Sequence, residues 1–508
     1  MLASLLERAY NPDVLTCLAN LSNDEVFTPP EVANCVLDML PAELWRDPTV
    51  RILDPFCKSG VFLREAAKRF IVGLEDVYPD LQDRVDHIMH EQLFGIAITE
   101  LTALMSRRSL YCSKFPNGRF SVSGFDTDEG NIRLRHIKHT WREKRCAFCG
   151  ASEQNYRRDD GLETHAYEFI HTKRPEGIFN MKFDVIVGNP PYQLDTGGSG
   201  RQAKPIYHLF VEQAKRLRPR FITMIIPSRW FAGGMGLDSF RSTMMADRHI
   251  TRMVDYANAK DCFPQNSVSG GVCYFLWERD HEDDCLFTNV SASSSNDKLR
   301  PLDEFPVLVR YNRAVEILRK IRSYEETSLA SIVSSISPFG IPTSVRGSED
   351  RTSPSDVRLL SSGGFSYLRR SQVDTSKACF DSFKVAVSQT GAEHACEPDR
   401  SGQFRVLTSS MRTLAPEDVC THSYLVLGPM GTEGECENLL VYLKTKFVRF
   451  LVLQAVSSIH ISRQTFCFVP LQNFARAWTD EELYEKYGLS DAEVQFIDEL
   501  IKPFDGGE

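Results

Sequence analysis

The sequence predicts an α/β fold, a doubly wound mixed sheet filling the first half of the chain, followed by a C-terminal α+β domain. Three observations carry this. Short apolar, β-branched runs at residues 50–54, 93–98, 183–188 and 221–227 each end in a polar or proline-containing turn, the pattern of strands buried on both faces. Helical periodicity fills stretches between them, as parallel strands require for their crossovers. Beyond about residue 298 the spacing changes to short β-like pieces at 383–387, 404–407 and 424–427, with helices near 313–323, 434–445 and 491–502. A chain of 508 residues is too long for one core. The expected division is 1–285 and 286–508, joined by a polar linker over about 282–297 that contains Ser291, Ser293, Ser294, Ser295 and Asn296.

Taken in order, residues up to about 22 read as a helical arm. Phe27-Thr28-Pro29-Pro30-Glu31 then opens a helix, with Thr28 as N-cap, Pro29 at the first helical position and Glu31 closing a capping box. Residues 50–63 are a strand, a turn through Asp54-Pro55-Phe56-Cys57-Lys58-Ser59-Gly60, and the start of the next helix. This is the first βα turn of a doubly wound sheet, beyond whose strand ends cofactors sit. A second strand covers 93–98 and ends at Thr99-Glu100, and a third is expected over 120–126, ending at Asp126.

The strand at 183–188 runs into Asn189-Pro190-Pro191-Tyr192. Each proline lacks an N–H and fixes φ near roughly −65°, so the backbone after Asn189 is rigid, with free carbonyls and a projecting ring. Such a loop suits gripping a flat polar group with two N–H donors. The Asn189 amide oxygen and the Pro190 carbonyl can accept from it, and Tyr192 can lie over its ring. The segment Gln193 to Arg201, with Gly197, Gly198 and Gly200, reads as a loop able to close over substrate. Strands near 221–227, 252–256 and 271–277 complete the sheet.

Between the third strand and this motif lies Cys146-x2-Cys149, followed by His165 and His171. The spacing is close to that of a tetrahedral Cys2His2 zinc site, which would staple an insertion over about 140–176 too polar to fold alone. Cys112, His136 and His139 are substitute ligands. The zinc would be structural, because no further histidine and metal set remains for a nuclease centre.

The hydrophobic (42%) and charged (25%) fractions fit a soluble globular protein. A net charge of −9 does not itself indicate a nucleic-acid binder, although a cleft can still concentrate Lys and Arg. Fourteen cysteines, mostly within apolar runs, point to a reducing compartment rather than a disulfide framework. No apolar run is of bilayer-spanning length and the first eight residues lack a secretory pattern, so a cytoplasmic protein with no membrane partner is expected.

The Asn-Pro-Pro-Tyr signature resembles that of amino-methyltransferases that use S-adenosylmethionine. The order Thr-Pro-Pro segment, cofactor loop, Asn-Pro-Pro-Tyr and large C-terminal domain resembles the gamma-class DNA adenine-N6 methyltransferases of restriction–modification systems. The resemblance implies a Rossmann-like methyltransferase domain over 1–285 and a target-recognition domain over 286–508. It places Asn189, Pro190, Pro191 and Tyr192 at the reacting amine, with Phe263 stacking on the flipped base opposite Tyr192. For the cofactor it implies Phe27 and Thr28 at the methionine end, the loop residues Asp54, Pro55, Ser59 and Gly60, Asn189, an acid for the ribose and Asp126 for the adenine. Two positions depart from the pattern: Lys58 stands where the family has glycine, and Ala97 where it has the ribose-binding acid, for which Glu100 is the substitute. The implied partners are double-stranded DNA and a cognate restriction endonuclease, or no second subunit if the enzyme is solitary. With so few residues ahead of residue 27, a fused nuclease–methyltransferase arrangement is not expected. Arg310, Arg313, Arg319, Lys320, Arg322, Arg369 and Arg370 are candidate DNA contacts. The alternatives are N4-cytosine methylation, then RNA or protein-glutamine methylation, then a non-catalytic DNA-binding protein, the last motivated by Lys58 and Ala97.

Overall fold

The computed structural model describes residues 27–504 apart from 158–165, 195–203, 232–233, 265, 267, 269, 292–293, 375–378, 393–397, 400 and 457–459. The N-terminal arm, His165 and the glycines at 197, 198 and 200 therefore lie outside the described residues. The chain divides into two units, one of Met1–Trp230 with Gly234–Asp303 and one of Phe231–Gly233 with Glu304–Glu508.

The first unit is built on a nine-stranded sheet. Its strands are β1 (Ile52–Cys57), β2 (Leu93–Ala97), β3 (Ile132–Arg133), β4 (Val185–Gly188), β5 (Phe221–Pro227), β6 (Ile250–Tyr256), β7 (Val272–Glu278), β8 (Cys285–Ser291) and β9 (Ser294–Arg300). They run in the order β9-β8-β6-β7-β5-β4-β1-β2-β3. β5, β4, β1, β2 and β3 are parallel, with Ile52 opposite both Leu93 and Val185, while β7 is antiparallel to its neighbours β5 and β6. The order reverses at β1: the chain leaves it toward β2 and returns to β4 on its other side. That switch point leaves a crevice beyond the carboxyl ends of β1 and β4.

Every residue of β1, β2 and β4 is buried, which is why these runs do not alternate and are apolar apart from Asp54 in β1. Helices α1 (Pro30–Leu37), α2 (Val61–Gly73), α3 (Glu100–Tyr111), α4 (Tyr207–Arg216) and α5 (Asp238–Ala246) lie in this unit. From α2, Phe62, Leu63, Ala66 and Phe70 are at most 3% exposed in the same core cluster as β1. Each large apolar side chain buried this way contributes about 1.5–3 kcal/mol.

Three local expectations fail. Residues 120–126 form turns rather than a strand: Phe120 is 71% exposed, so its alternation with Val122 is a surface accident, and the third strand is the two-residue Ile132–Arg133 beside Gly95 and Ile96. The expected linker at 282–297 is the β8–β9 hairpin at the sheet edge, which moves the boundary from 285/286 to 303/304. The N-cap of α1 is Pro29, with no side-chain cap, because the Thr28 hydroxyl is used elsewhere.

The second unit holds two three-stranded sheets, Gly364–Leu368, Val357–Ser361 and Val419–Cys420 in one and Arg412–Leu414, Phe383–Ser388 and Tyr424–Met430 in the other. The helices Asn312–Arg322, Glu433–Lys444, Lys446–Ala455 and Asp491–Leu500 contribute to one large core. The run at 404–407 is not a strand; Phe404 makes only an isolated bridge to Ile501. Among the described residues, no helix is long and apolar enough to cross a membrane.

Candidate active site

β1 continues through Asp54 and Pro55 to Cys57, past the point where the turn was expected, and turns through Lys58 to Gly60 into α2, while the carboxyl end of β4 delivers Asn189 beside it. Thr28, Asp54, Phe56, Lys58, Ser59, Gly60, Val61, Phe62 and Asn189 line one narrow cavity there. Thr28, Asp54, Ser59, Gly60 and Asn189 thus meet although they come from three separate stretches of chain.

Two glycines make this approach possible. Gly188 has φ +147°, and a Cβ there would lie 2.4 Å from the Phe56 ring and 2.7 Å from the Asp54 carboxylate. Gly60 is the N-cap of α2 at φ +71°, where a Cβ would come within 2.9 Å of the Ser106 backbone. The Ser106 hydroxyl donates to the Lys58 carbonyl at 3.2 Å, tying the turn to α3.

Asn189 is 3% exposed and its Nδ2 donates to Thr28 Oγ1 at 3.1 Å, across 161 residues. Asp54 is fully buried, accepting from the Phe56 N–H at 3.2 Å, and burial pushes its carboxyl up to about 7 against the opposing pull of that bond and of Lys58. The Lys58 side chain is buried, and its ammonium lies 5.9 Å from the centre of the Tyr192 ring. Tyr192 is itself buried, which raises its phenol well above the usual range, with Asn189 as a polar neighbour. The Ile206 N–H donates to the Tyr192 carbonyl at 3.1 Å, and Gln193–Leu194 pairs with Lys204–Pro205. The motif is therefore held at both ends.

Other predicted residues sit differently. Pro55 is buried in β1 and Phe27 precedes Thr28, but neither lines the cavity. Phe263 is buried in the same core cluster as Tyr192. Glu100 is the exposed first residue of α3, after the Thr99–Thr102 capping box. Asp126 is exposed on the turn segment and does not line the cavity. Sequence reasoning passed over Gly188; the signal available was a glycine at the end of an otherwise β-branched strand.

A second cluster brings together His139, Cys146, Cys149 and His171, whose ligand atoms all lie within 4.8 Å of one another. Cys149 Sγ is 3.5 Å from His139 Nδ1. The His171 Nδ1 faces the Tyr167 carbonyl at 2.8 Å, and its Nε2 is buried with no hydrogen-bond partner among the described residues. Orientation of one ring nitrogen by a carbonyl, leaving the other for an ion, is the usual arrangement of a metal-binding histidine. The donors are two thiols and two imidazoles, a set suited to zinc. Among the described residues the fourth member is His139, one of the substitute ligands; His165 lies outside them.

The basic residues proposed for DNA in the Asn312–Arg322 helix are engaged internally. Arg313 pairs with Glu499, Arg319 with Glu304 and Glu316, and Lys320 with Glu493, while Arg322 bonds the Glu304 carbonyl and stacks on Phe305. Arg310 lies over Phe231, and Arg370 pairs with Glu417.

Comparison with known proteins gives this geometry a family. A protein-family profile described as Eco57I restriction-modification methylase matches residues 91–263. An "Uncharacterized adenine-specific methylase" of Mycoplasma pneumoniae is 36% identical over 304 residues, covering 54% of this chain and 72% of that protein. The chain belongs to the adenine-specific methylases of restriction–modification type. Among solved structures, the type IIL enzyme MmeI in complex with DNA is matched over 89% of this chain and 65% of its own at 9% identity and TM-score 0.47. A nuclease-deletion mutant of the type ISP enzyme LlaGI, with a DNA substrate mimic, is matched over 86% and 45% at 11% identity and TM-score 0.47. A modification subunit of a type I restriction enzyme from Vibrio vulnificus YJ016 is matched over 57% and 55% at 14% identity and TM-score 0.34. The chain thus spans about half to two-thirds of the length of these three solved chains.

Proposed function

We propose that this chain transfers a methyl group from S-adenosylmethionine to N6 of an adenine flipped out of double-stranded DNA, as the modification component of a restriction–modification system or as a solitary enzyme. The observation that carries the reading is the Asn189–Thr28 hydrogen bond, which fixes Asn-Pro-Pro-Tyr beside a buried polar cavity at the switch point of the sheet. With Nδ2 committed to Thr28, Oδ1 is the end of the Asn189 amide that can accept from the target amino group. Together with the Pro190 carbonyl it would localise the amino lone pair on nitrogen, and the buried setting strengthens both bonds. Tyr192 supplies the face against which the base rests.

S-adenosylmethionine, when bound, supplies an electrophilic methyl group on a sulfonium. The cavity residues fit such a molecule: Gly60 gives close backbone approach at a helix N-terminus, and Thr28, Asp54 and Ser59 offer polar partners. Lys58 fills the family's glycine position with a cation beside Tyr192, so it borders both cofactor and base. The four-ligand cluster is read as a structural zinc site, and the second unit as the target-recognition domain.

Asp54 gives this reading a pH signature. Its carboxyl is pushed up to about 7 in the folded chain, so the folded state holds the proton through a window in which the unfolded chain has lost it. Stability on this account falls as pH rises from about 4 to about 7. The carboxylate that then forms favours a cationic cofactor. Cofactor affinity, by calorimetric titration, is expected to weaken about fivefold from pH 7 to pH 6, and Asp54→Asn to flatten that dependence. An identical slope in the variant would remove Asp54 from the site.

The reading as a whole is tested by supplying methyl-labelled cofactor with duplex DNA, RNA and protein acceptors in parallel. Label is expected in DNA; label in RNA or protein alone would overturn it.

A further inference from the structure

The metal cluster and the Asn-Pro-Pro-Tyr loop are linked through two routes that share no residue. In the first, the Cys146-x2-Cys149 knuckle closes at Gly150, whose N–H donates to the Cys146 carbonyl at 2.9 Å. Gly150 has φ +71°, and the Lys204 ammonium sits 2.3 Å from where its Cβ would be. Lys204 is paired with Leu194, and Ile206 two residues on holds the Tyr192 carbonyl. The knuckle therefore meets the Lys204 side chain of the returning strand that fixes Tyr192.

In the second route, Gln213 of α4, 3% exposed, donates from Nε2 to the Phe169 and Thr172 carbonyls, both at 2.9 Å. These two carbonyls bracket the ligand His171. One turn earlier on α4, Phe210 packs against Tyr167 at 5.6 Å, Phe169 at 6.4 Å and edge-on against Phe56 at 5.4 Å. Phe56 lines the cofactor cavity and touches the backbone of Gly188 just before Asn189. The other face of the His171 segment is pinned by Arg133 of β3, which grips Glu168 through two nitrogens at 2.8–3.2 Å.

We infer that one zinc ion held by His139, Cys146, Cys149 and His171 is a strut for the catalytic loop, fixing Tyr192 and Asn189 through Lys204 and through Gln213 with Phe210. The ion touches no reacting atom; its ligands are positioning residues. The ion would join two thiols and two imidazoles at one centre, and without it the segments that carry them lose that shared anchor and their fixed spacing. The methyl-transfer consequence rests on the function proposed above, whereas the loop consequence does not.

The test uses the full chain. Metal analysis is expected to find about one zinc per chain in the parent, and much less in His139→Ala. Removing the ion, by that substitution or by chelation, is expected to lower kcat about 10–100-fold while the cofactor Kd changes less than about threefold. Re-addition of zinc should restore the chelated parent and not the variant. Gln213→Ala keeps all four ligands, and it should retain the metal yet slow transfer. Hydrogen exchange supplies a readout independent of activity: the Ile206 amide should exchange faster in metal-free protein. A parent without bound metal, or metal-free folded protein with unchanged Ile206 protection, would overturn the inference. Unchanged protection with no transfer by any form would overturn both readings, whereas faster exchange with no transfer would overturn the function alone and leave the strut standing.

Discussion

Replacing Asn189 with alanine is expected to reduce methyl transfer to DNA by about 10²–10³-fold in kcat, beyond any loss of cofactor affinity at the cavity that Asn189 also lines. The substitution removes the acceptor that localises the lone pair of the target amine, an interaction needed at the moment of transfer rather than for binding. It also removes the bond to Thr28 at 3.1 Å, which adds a stability cost of about 1 kcal/mol. Thr28→Val separates the two effects, since it breaks the same bond and leaves the Asn189 oxygen in place. Single-turnover rates for both variants decide the matter. Equal losses would mean that the Thr28 bond alone matters; a loss confined to Asn189→Ala assigns the chemistry to the amide oxygen.

Gly188→Ala is the second large effect, and here the cause is steric. At φ +147° an added Cβ would lie 2.4 Å from Phe56 and 2.7 Å from the Asp54 carboxylate. Phe56 cannot simply swing away, because it is buried edge-on against Phe210. The expected cost is about 2–4 kcal/mol of stability, from overpacking and backbone strain together. Any folded fraction should also bind cofactor poorly, since Phe56 and Asp54 both line the cavity. Thermal unfolding followed by cofactor titration measures both losses. A variant melting with the parent and binding cofactor normally would show that this close approach of β4 to β1 does not matter.

The sheet was legible because buried parallel strands write themselves as apolar runs and because proline stops them at a fixed point. Asn189-Pro190-Pro191-Tyr192 and the turn at Asp54-Pro55 could each be located from local composition alone. What joins them was not legible. Thr28 looked like a helix cap, and only the fold reveals that its hydroxyl faces Asn189. His139 precedes the cysteine pair, and its proximity to it depends on how the Trp141–Arg142 and Arg145–Cys146 hairpin turns back, which no spacing rule shows; His165, which follows at the familiar spacing, lies outside the described residues.

The β8–β9 hairpin escaped notice for a related reason. Its outer strand, Ser294–Arg300, is mostly exposed up to the buried Arg300 at its end, so burial imposes no alternation on its sequence and it reads as a polar linker. The pairing of the basic residues near 310–322 was hidden in another way. Their sequence suggested a surface for phosphate, and the acidic partners they have in the structure, Glu493 and Glu499, lie more than 170 positions away, beyond any local window.

The central claim is that the Asn189 amide presents an adenine amino group in DNA for methylation. It is tested most directly by digesting to nucleosides the DNA of cells that lack adenine methylation of their own, expressing either the parent chain or Asn189→Ala. The account predicts N6-methyladenine in the parent sample and its near absence in the variant. N4-methylcytosine in place of methyladenine, equal methyladenine in both samples, or no methylated nucleoside in either would contradict it.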